Sequence, residues 1–200
     1  MRCRSLQSLI VLTFLVTAHR GVALTIDVRL VTSRPDASAT HPGFISPRFT
    51  SCSECVTREF ESPGGFHISV VAERNPRVQF GTADVEHLSV FELRALTPPY
   101  TKAWYVAADL NESAVKRYRA ATSNYVFDRA LVAVDGKPTQ VGTVSLSGGD
   151  GVILAGFRSP EEAKKFAETL KMPISWIPFD EADWEKDRQR FEHEPGSGTK

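Results

Sequence analysis

Apolar and polar residues alternate over residues 25–31, and a period of two is typical of half-buried strands. In residues 25–31 three aliphatic side chains alternate with charged ones, which predicts a strand. Further strands are predicted over residues 66–72 and 86–96, and the continuously apolar residues 103–108 are predicted to form a short strand. In the range 86–96, the side chains of Leu88, Val90 and Glu92 are predicted to share one face.

A helix is predicted over residues 112–123. Asp109 precedes Glu112 by three residues, which fits a capping box with Asp109 as the cap. The face predicted to be buried carries small and apolar side chains at helical spacing, namely Ala114, Val115, Tyr118 and Ala121.

A hairpin follows this helix. Residues 127–134 read as a strand, and Asp135-Gly136 tolerates the positive φ angles that a tight hairpin turn needs. The returning strand is predicted over residues 139–146. Pro138 cannot donate to a ladder, so this strand is expected to lie at a sheet edge where it begins.

The next segment is predicted to be a glycine turn at 148–151, a strand over 152–155 and a second helix. Ser159 is predicted to cap this helix, with Pro160 at its first position. Its buried stripe is predicted to consist of Ala163, Phe166, Ala167 and Leu170. Pro173 ends the helix, and residues 174–177 are predicted to return as a strand.

Two regions show little periodicity. Residues 32–65 are rich in Ser, Pro, Gly and Thr, which predicts a long loop. Residues 180–200 form a charged tail in which Trp184, Arg188 and Phe191 share the face of a short docking helix. Residues 194–198 are expected to be disordered.

The N-terminus has the pattern of a secretory signal. Two arginines precede the apolar residues 9–18, and Gly21-Val22-Ala23 offers small residues at a cleavage site. The alternative is a membrane anchor, but a span needs about 20 apolar residues and His19-Arg20 interrupt this run. We therefore expect residues 1–23 to be a signal peptide, with no membrane span after its removal and an exported, periplasmic or secreted protein.

Charge and length limit the function classes. Residues 24–200 would form one domain over 24–179 and the tail, with 21 basic against 24 acidic residues. A chain this close to neutral gives no electrostatic basis for binding nucleic acid or anionic lipid.

Cys52 and Cys55 are the cysteines that remain after cleavage. An even count in an exported protein favours a disulfide between them. The spacing C-x-x-C also fits a redox pair, although no aromatic residue precedes Cys52 and no clear β-α unit surrounds it. A zinc site would need two more ligands, for which His41 and His67 are the candidates.

No other constellation predicts a catalytic, cofactor or metal site. The 148–151 loop could cradle a phosphate, but such loops usually lead into a helix and this one leads into a strand. The histidines that remain after cleavage, His41, His67, His87 and His193, lie beside no recognisable acid or nucleophile motif. Tyr100, Trp104 and Tyr105 fit either core packing or a binding surface. We expect a protein that is not an enzyme and needs no cofactor.

The order of motifs over residues 103–179 resembles the extracytoplasmic head region of SecD, a subunit of the bacterial protein-export machinery. The matching features are a helix with an Asp-x-x-Glu start, a strand ending in Val-Asp-Gly-Lys at 134–137, a Gly-Gly-x-Gly turn at 148–151, Gly-Phe at 156–157 and an acidic helix with Glu-Glu-Ala at 161–163. The strand at 25–31 also resembles an early strand of that family. The membrane helices through which SecD couples the proton gradient to export have no counterpart here.

The resemblance implies a ferredoxin-like α+β sandwich, with two helices on one face of a mostly antiparallel sheet. It also implies a SecD-head-like module that binds polypeptide or an envelope protein and assists export or another envelope function. The alternative is a small exported thiol oxidoreductase, or another enzyme, that uses Cys52 and Cys55.

Overall fold

The computed structural model describes residues 23–32, 52–96, 99–125, 128–144 and 151–193. These residues contain two sheets, three α-helices and two short 3₁₀-helices. The large sheet contains β1 (Thr25–Val31), β2 (Cys55–Glu61), β3 (His67–Glu73), β4 (Val78–Gly81), β7 (Arg129–Val134) and β8 (Lys137–Thr143). The small sheet contains β5 (Val85–Arg94), β6 (Lys102–Leu110), β9 (Gly151–Phe157) and β10 (Ile174–Ile177). The helices are α1 (Glu112–Thr122), α2 (Pro160–Thr169) and α3 (Glu181–His193).

The large sheet has the strand order β2-β3-β1-β7-β8, with β4 paired to β1, and all its pairs are antiparallel. Its central strand β1 has the predicted bounds, so that prediction is confirmed. One face of β1 contributes Ile26, Val28 and Leu30 to the main core. The other face contributes Val31 to a smaller cluster with Val70, Ala72 and Leu131. Both faces of this sheet therefore bury aliphatic side chains.

The small sheet has the order β10-β5-β6-β9, in which only β10 pairs in parallel. The predicted face of β5 is buried, since Leu88 and Val90 are fully covered and Glu92 is 9% exposed. Both α1 and α2 add buried alanines to the main core that includes this face. The rings of Phe157 on β9 and Phe166 on α2 lie 5.4 Å apart. The predicted class, an α+β sandwich with mostly antiparallel sheets, is confirmed, whereas the division of the strands into two sheets was not predicted.

The predicted hairpin is present. Asp135 and Gly136 have φ angles of 49° and 75°, and β7 pairs antiparallel with β8 around them. As expected from Pro138, β8 lies at an edge of the large sheet. The predicted start of α2 is also confirmed, because the Ser159 hydroxyl accepts a hydrogen bond from the Glu162 amide and Pro160 opens the helix.

Two sequence predictions were wrong in detail. The range 32–65 is not all loop, because residues 55–61 form β2, which pairs with β3 along its whole length. Asp109 does not cap α1, since β6 continues to Leu110 and the Asn111 side chain accepts from the Ala114 amide. The strand is favoured here because residues 104–109 of β6 have partners on both sides, β5 and β9.

The third helix begins where the charged tail was predicted and contacts the β5–β6 region. Arg94 at the end of β5 lies 2.8 Å from the Glu181 carboxylate and 3.9 Å from the Phe179 ring centre. The Trp184 ring meets Tyr100 edge-on at 5.8 Å. None of the helices in the described residues is both long and apolar enough to cross a bilayer. Residues 1–22 of the expected signal peptide, residues 148–150 of the glycine turn and the tail after residue 193 lie outside the described residues.

Candidate functional site

One face of the small sheet carries apolar side chains that the helices do not cover. We call it the open face. In register order its members are His87, Ser89, Phe91 and Leu93 of β5, Ala103, Tyr105, Ala107 and Asp109 of β6, Gly151, Ile153 and Gly156 of β9, and Ser175 and Ile177 of β10. Ile153, Leu93 and Ile177 are 37%, 48% and 49% exposed. The partners of the helices, including Phe157 and Arg94, lie on the opposite face. Three large aliphatic side chains exposed on one sheet face suit an interaction surface.

The middle of the open face is aromatic and closely packed. The rings of Phe91 and Tyr105 stack with their centres 6.0 Å apart. A Cβ atom at Gly156 would lie 3.0 Å from the Tyr105 ring, so a side chain there would displace the ring. The glycine therefore lets Tyr105 lie flat against β9. Trp104, the neighbouring candidate from the sequence, points to the other face and packs against the main core.

One end of the open face is polar. The Asp109 carboxylate accepts a short hydrogen bond from the Ser89 hydroxyl, and the same oxygen lies 3.1 Å from His87 Nε2. His87, which lies beside no recognisable acid or nucleophile motif in the sequence, therefore has an acidic neighbour in the fold. His87 pairs with Asp109 between β5 and β6. The contact was not predicted because Asp109 was assigned to a helix cap and not to a strand.

This polar end does not have the geometry of a serine nucleophile. In a nucleophile–base pair the hydroxyl donates to the base, and a third group orients the base. Here the carboxylate lies between the other two groups, and the Ser89 proton is directed to Asp109. Ser89 is also 3% exposed, so a substrate has little access to it. Ser89 and His87 can instead orient the Asp109 carboxylate at the edge of the open face.

The tip of the β2–β3 hairpin flanks the open face beside β9. A Cβ atom at Gly64 would lie 2.2 Å from the Gly156 carbonyl oxygen, so only glycine allows this approach. Phe66, at the base of the tip, is 46% exposed. The Arg158 guanidinium lies 5.0 Å from its ring centre. An exposed aromatic ring and a cation therefore extend the open face beyond β9.

Cys52 and Cys55 form a disulfide beside an open cleft of about 540 Å³. The cleft is lined by residues 52–54 and 73–77. Two of these residues form an ion pair, in which the Arg77 guanidinium donates to the Glu73 carboxylate, and this hydrogen bond raises the pKa of Arg77. Cys55 opens a strand, so neither cysteine begins a helix whose dipole would favour a thiolate. Both sulfur atoms are used in the bond, which leaves no thiolate for the zinc alternative.

The remaining sequence candidates do not converge on one place. His67 opens β3 opposite Glu61, and Tyr100 contacts α3. His41 lies outside the described residues, as do residues 148–150 of the glycine loop. Gly151 lies beside an acidic side chain, because a Cβ atom there would be 3.1 Å from the Asp109 carboxylate. No group of three or more metal-ligating side chains occurs in the described part of the chain.

No protein-family model matches the chain, and no curated protein does. Among solved structures it is similar to a SecDF chain described as a membrane component that enhances protein export, and to SecDF in a super-membrane-facing form. Each is 14% identical with a TM-score of 0.39 and covers 74% of this chain. The chain spans 62% and 19% of the two SecDF chains. A likeness at this level does not establish a family, so the SecD resemblance stays a prediction.

Proposed function

We propose that the protein is an exported, non-enzymatic, SecD-head-like module that binds extended polypeptide on the open face and assists protein export or another envelope process. The observation that carries the proposal is the difference between the two faces of the small sheet. One face packs against helices, except at Trp176 on the edge strand β10, while the other leaves Ile153, Leu93 and Ile177 between 37% and 49% exposed. Monomeric proteins rarely leave such side chains grouped without a use for them.

Extended polypeptide suits this surface chemically. Residues of an extended chain alternate in direction, so every second side chain of a bound segment can meet the apolar floor. Burial of those side chains contributes about 25 cal/mol per Å² of apolar surface. Contacts of this kind depend on apolar character more than on sequence, which fits a module that meets many unfolded chains.

The export context rests on the sequence. Residues 1–23 have the composition of a signal peptide, and the motif order over 103–179 resembles the SecD head region. The bonded pair Cys52–Cys55 fits an oxidising compartment, where disulfides persist.

Two neighbouring residues of β10 allow a matched test. Ile177 belongs to the open face and Trp176 to the opposite face, yet they are 49% and 47% exposed. Crosslinking of the purified full chain to a reduced, alkylated polypeptide should be strongly reduced by Ile177→Asp and retained by Trp176→Asp. Equal crosslinking by both variants and the wild-type chain would reject the open face as the binding surface.

The redox alternative has one supporting observation, the position of the disulfide on an open cleft with Arg74 and Arg77. Reduction of a small disulfide substrate by the reduced protein tests it. Turnover that is lost in the Cys52→Ser, Cys55→Ser double variant, with polypeptide crosslinking unaffected by Ile177→Asp, would replace the binding proposal with the redox one.

A further inference from the structure

We infer that the segment bound by the open face carries an acidic side chain at the end that meets Arg158. This inference rests on the proposed function and adds the charge and position of one ligand group. It follows from the distribution of charge along the open face.

Arg158 is an exposed cation next to the apolar floor. It directly follows β9, and its guanidinium lies over the exposed ring of Phe66. Within the described residues no carboxylate lies within ion-pair distance of it. The Glu162 carboxylate accepts instead from the Arg158 backbone amide, at 3.3 Å. A guanidinium held over a ring still presents its N–H donors at the edge, where a carboxylate can accept two of them.

Among the described residues, the opposite end of the open face carries no comparable cation. Asp109 and His87 lie there, opposite Gly151, the first residue of β9. His87 Nε2 lies 3.1 Å from the Asp109 carboxylate, so an acidic side chain faces the only basic group of this pair. Arg158 is seven residues beyond Gly151, or roughly 23 Å along an extended strand. The face therefore has a cation at one end and an acid at the other, with Phe91, Tyr105 and Ile153 between them.

This asymmetry fits an extended segment of about six or seven residues, since each residue of a strand spans roughly 3.3 Å. Its apolar side chains would lie on the aromatic middle and its acidic side chain against Arg158. A second copy of the chain is a poorer occupant. Asp109, the carboxylate among the described members of this face, already accepts from Ser89 and lies beside His87.

The test uses three fluorescent eight-residue peptides that alternate leucine and serine and end in Glu, Gln or Lys. Fluorescence anisotropy with the full chain gives their dissociation constants. We expect the Glu peptide to bind about fivefold more tightly than the Lys peptide, which is the scale of an exposed ion pair. Arg158→Glu should reverse this order, and Arg158→Gln should remove it. Added salt should reduce the preference in the wild-type chain.

Arg129→Glu is the matched control, because Arg129 is an exposed arginine of the large sheet and makes the same charge change. It should leave the order of the three peptides unchanged. If all three bind the wild-type chain equally, the inference fails while the proposed function stands. If none binds, the proposed function fails as well. If Arg158→Glu instead dissolves a dimer detected by sedimentation, the occupant is a second copy and the inference is overturned.

Discussion

The two sheets differ in how many of their faces are buried. In the large sheet, β7 buries every residue after Arg129, and the central strand β1 supplies side chains to clusters on both sides. In the small sheet, β5 buries Leu88 and Val90 on one face and exposes Leu93 on the other. A strand buried on both faces is constrained everywhere by packing. A strand with one uncovered face can keep apolar residues there for contacts with another molecule.

Buried polar residues show the same difference. On the large sheet, Asp27 is 6% exposed and is satisfied within the sheet, at 2.9 Å from Arg29 and 2.7 Å from Gln79. On the open face, Asp109 is 30% exposed and is shared between Ser89 and His87 at the rim. The first arrangement compensates a buried charge, as the interior of a protein requires. The second keeps a carboxylate accessible to solvent and to a ligand.

The largest difference is expected between truncation of a phenylalanine in the core and truncation of a phenylalanine that flanks the open face. Phe80 on β4 is 1% exposed and packs near Tyr118, whereas Phe66 is 46% exposed. Phe80→Ala should lower the free energy of unfolding by about 3–5 kcal/mol through lost burial and a cavity. Phe66→Ala should lower it by less than about 1 kcal/mol. Urea melts of both variants measure this. Equal losses would mean that the hairpin tip belongs to the core and not to an interaction surface.

The sequence predicted those elements whose signals are local. The strand at 25–31, the turn at Asp135-Gly136 and the Ser159-Pro160 helix start are each specified within a few residues. The strand β2 was missed because its sequence, CVTREFE, has few apolar residues, and it is held by pairing with β3. The strand β4 was missed because it is only four residues long and depends on β1.

The candidate site was less predictable than the fold. A period of two assigns residues to faces, but it does not say which face other elements will cover. Tyr105 was identified as either core or binding surface, and only the position of the helices places it on the open face. Ser89 and Asp109 are 20 residues apart and meet through the pairing of β5 with β6.

The second prediction concerns the disulfide, which belongs to the large sheet. Cys52 and Cys55 close a very short loop, for which the chain-entropy model gives about 2 kcal/mol at most. The Cys52→Ser, Cys55→Ser double variant should therefore still fold, with a slightly lower urea midpoint, and should keep its polypeptide crosslinking. A variant that does not fold would show that the bridge holds β2 against the core.

The third prediction compares Asn111, which caps α1, with Asp109, which was predicted to cap it. Asn111→Ala removes the acceptor for the Ala114 amide and should cost about 1 kcal/mol. Asp109→Asn keeps an oxygen for the Ser89 hydroxyl and should cost less than that. Thermal or urea unfolding of the two variants separates them. A larger cost for Asp109→Asn would mean that the polar end of the open face contributes to stability beyond what its exposure implies.

The last and smallest effect lies at the junction of the two sheets. Asp84 sits in the turn that joins β4 to β5, where it accepts from the Gly81 amide at 2.9 Å and pairs with Arg117 of α1. The Gly81 hydrogen bond, followed by Arg117, lowers the pKa of Asp84 below its ordinary value of 3.8.

A carboxyl group with a lowered pKa in the folded state stabilises the fold above its unfolded pKa. That contribution is lost as the pH falls through the folded value. Asp84→Asn should therefore reduce the free energy of unfolding at pH 6, and its difference from the wild-type chain should shrink below about pH 4. The measurement is a series of urea melts from pH 2.5 to 6. A difference between the two chains that does not change with pH would mean that the carboxylate charge plays no part in holding α1 to this junction.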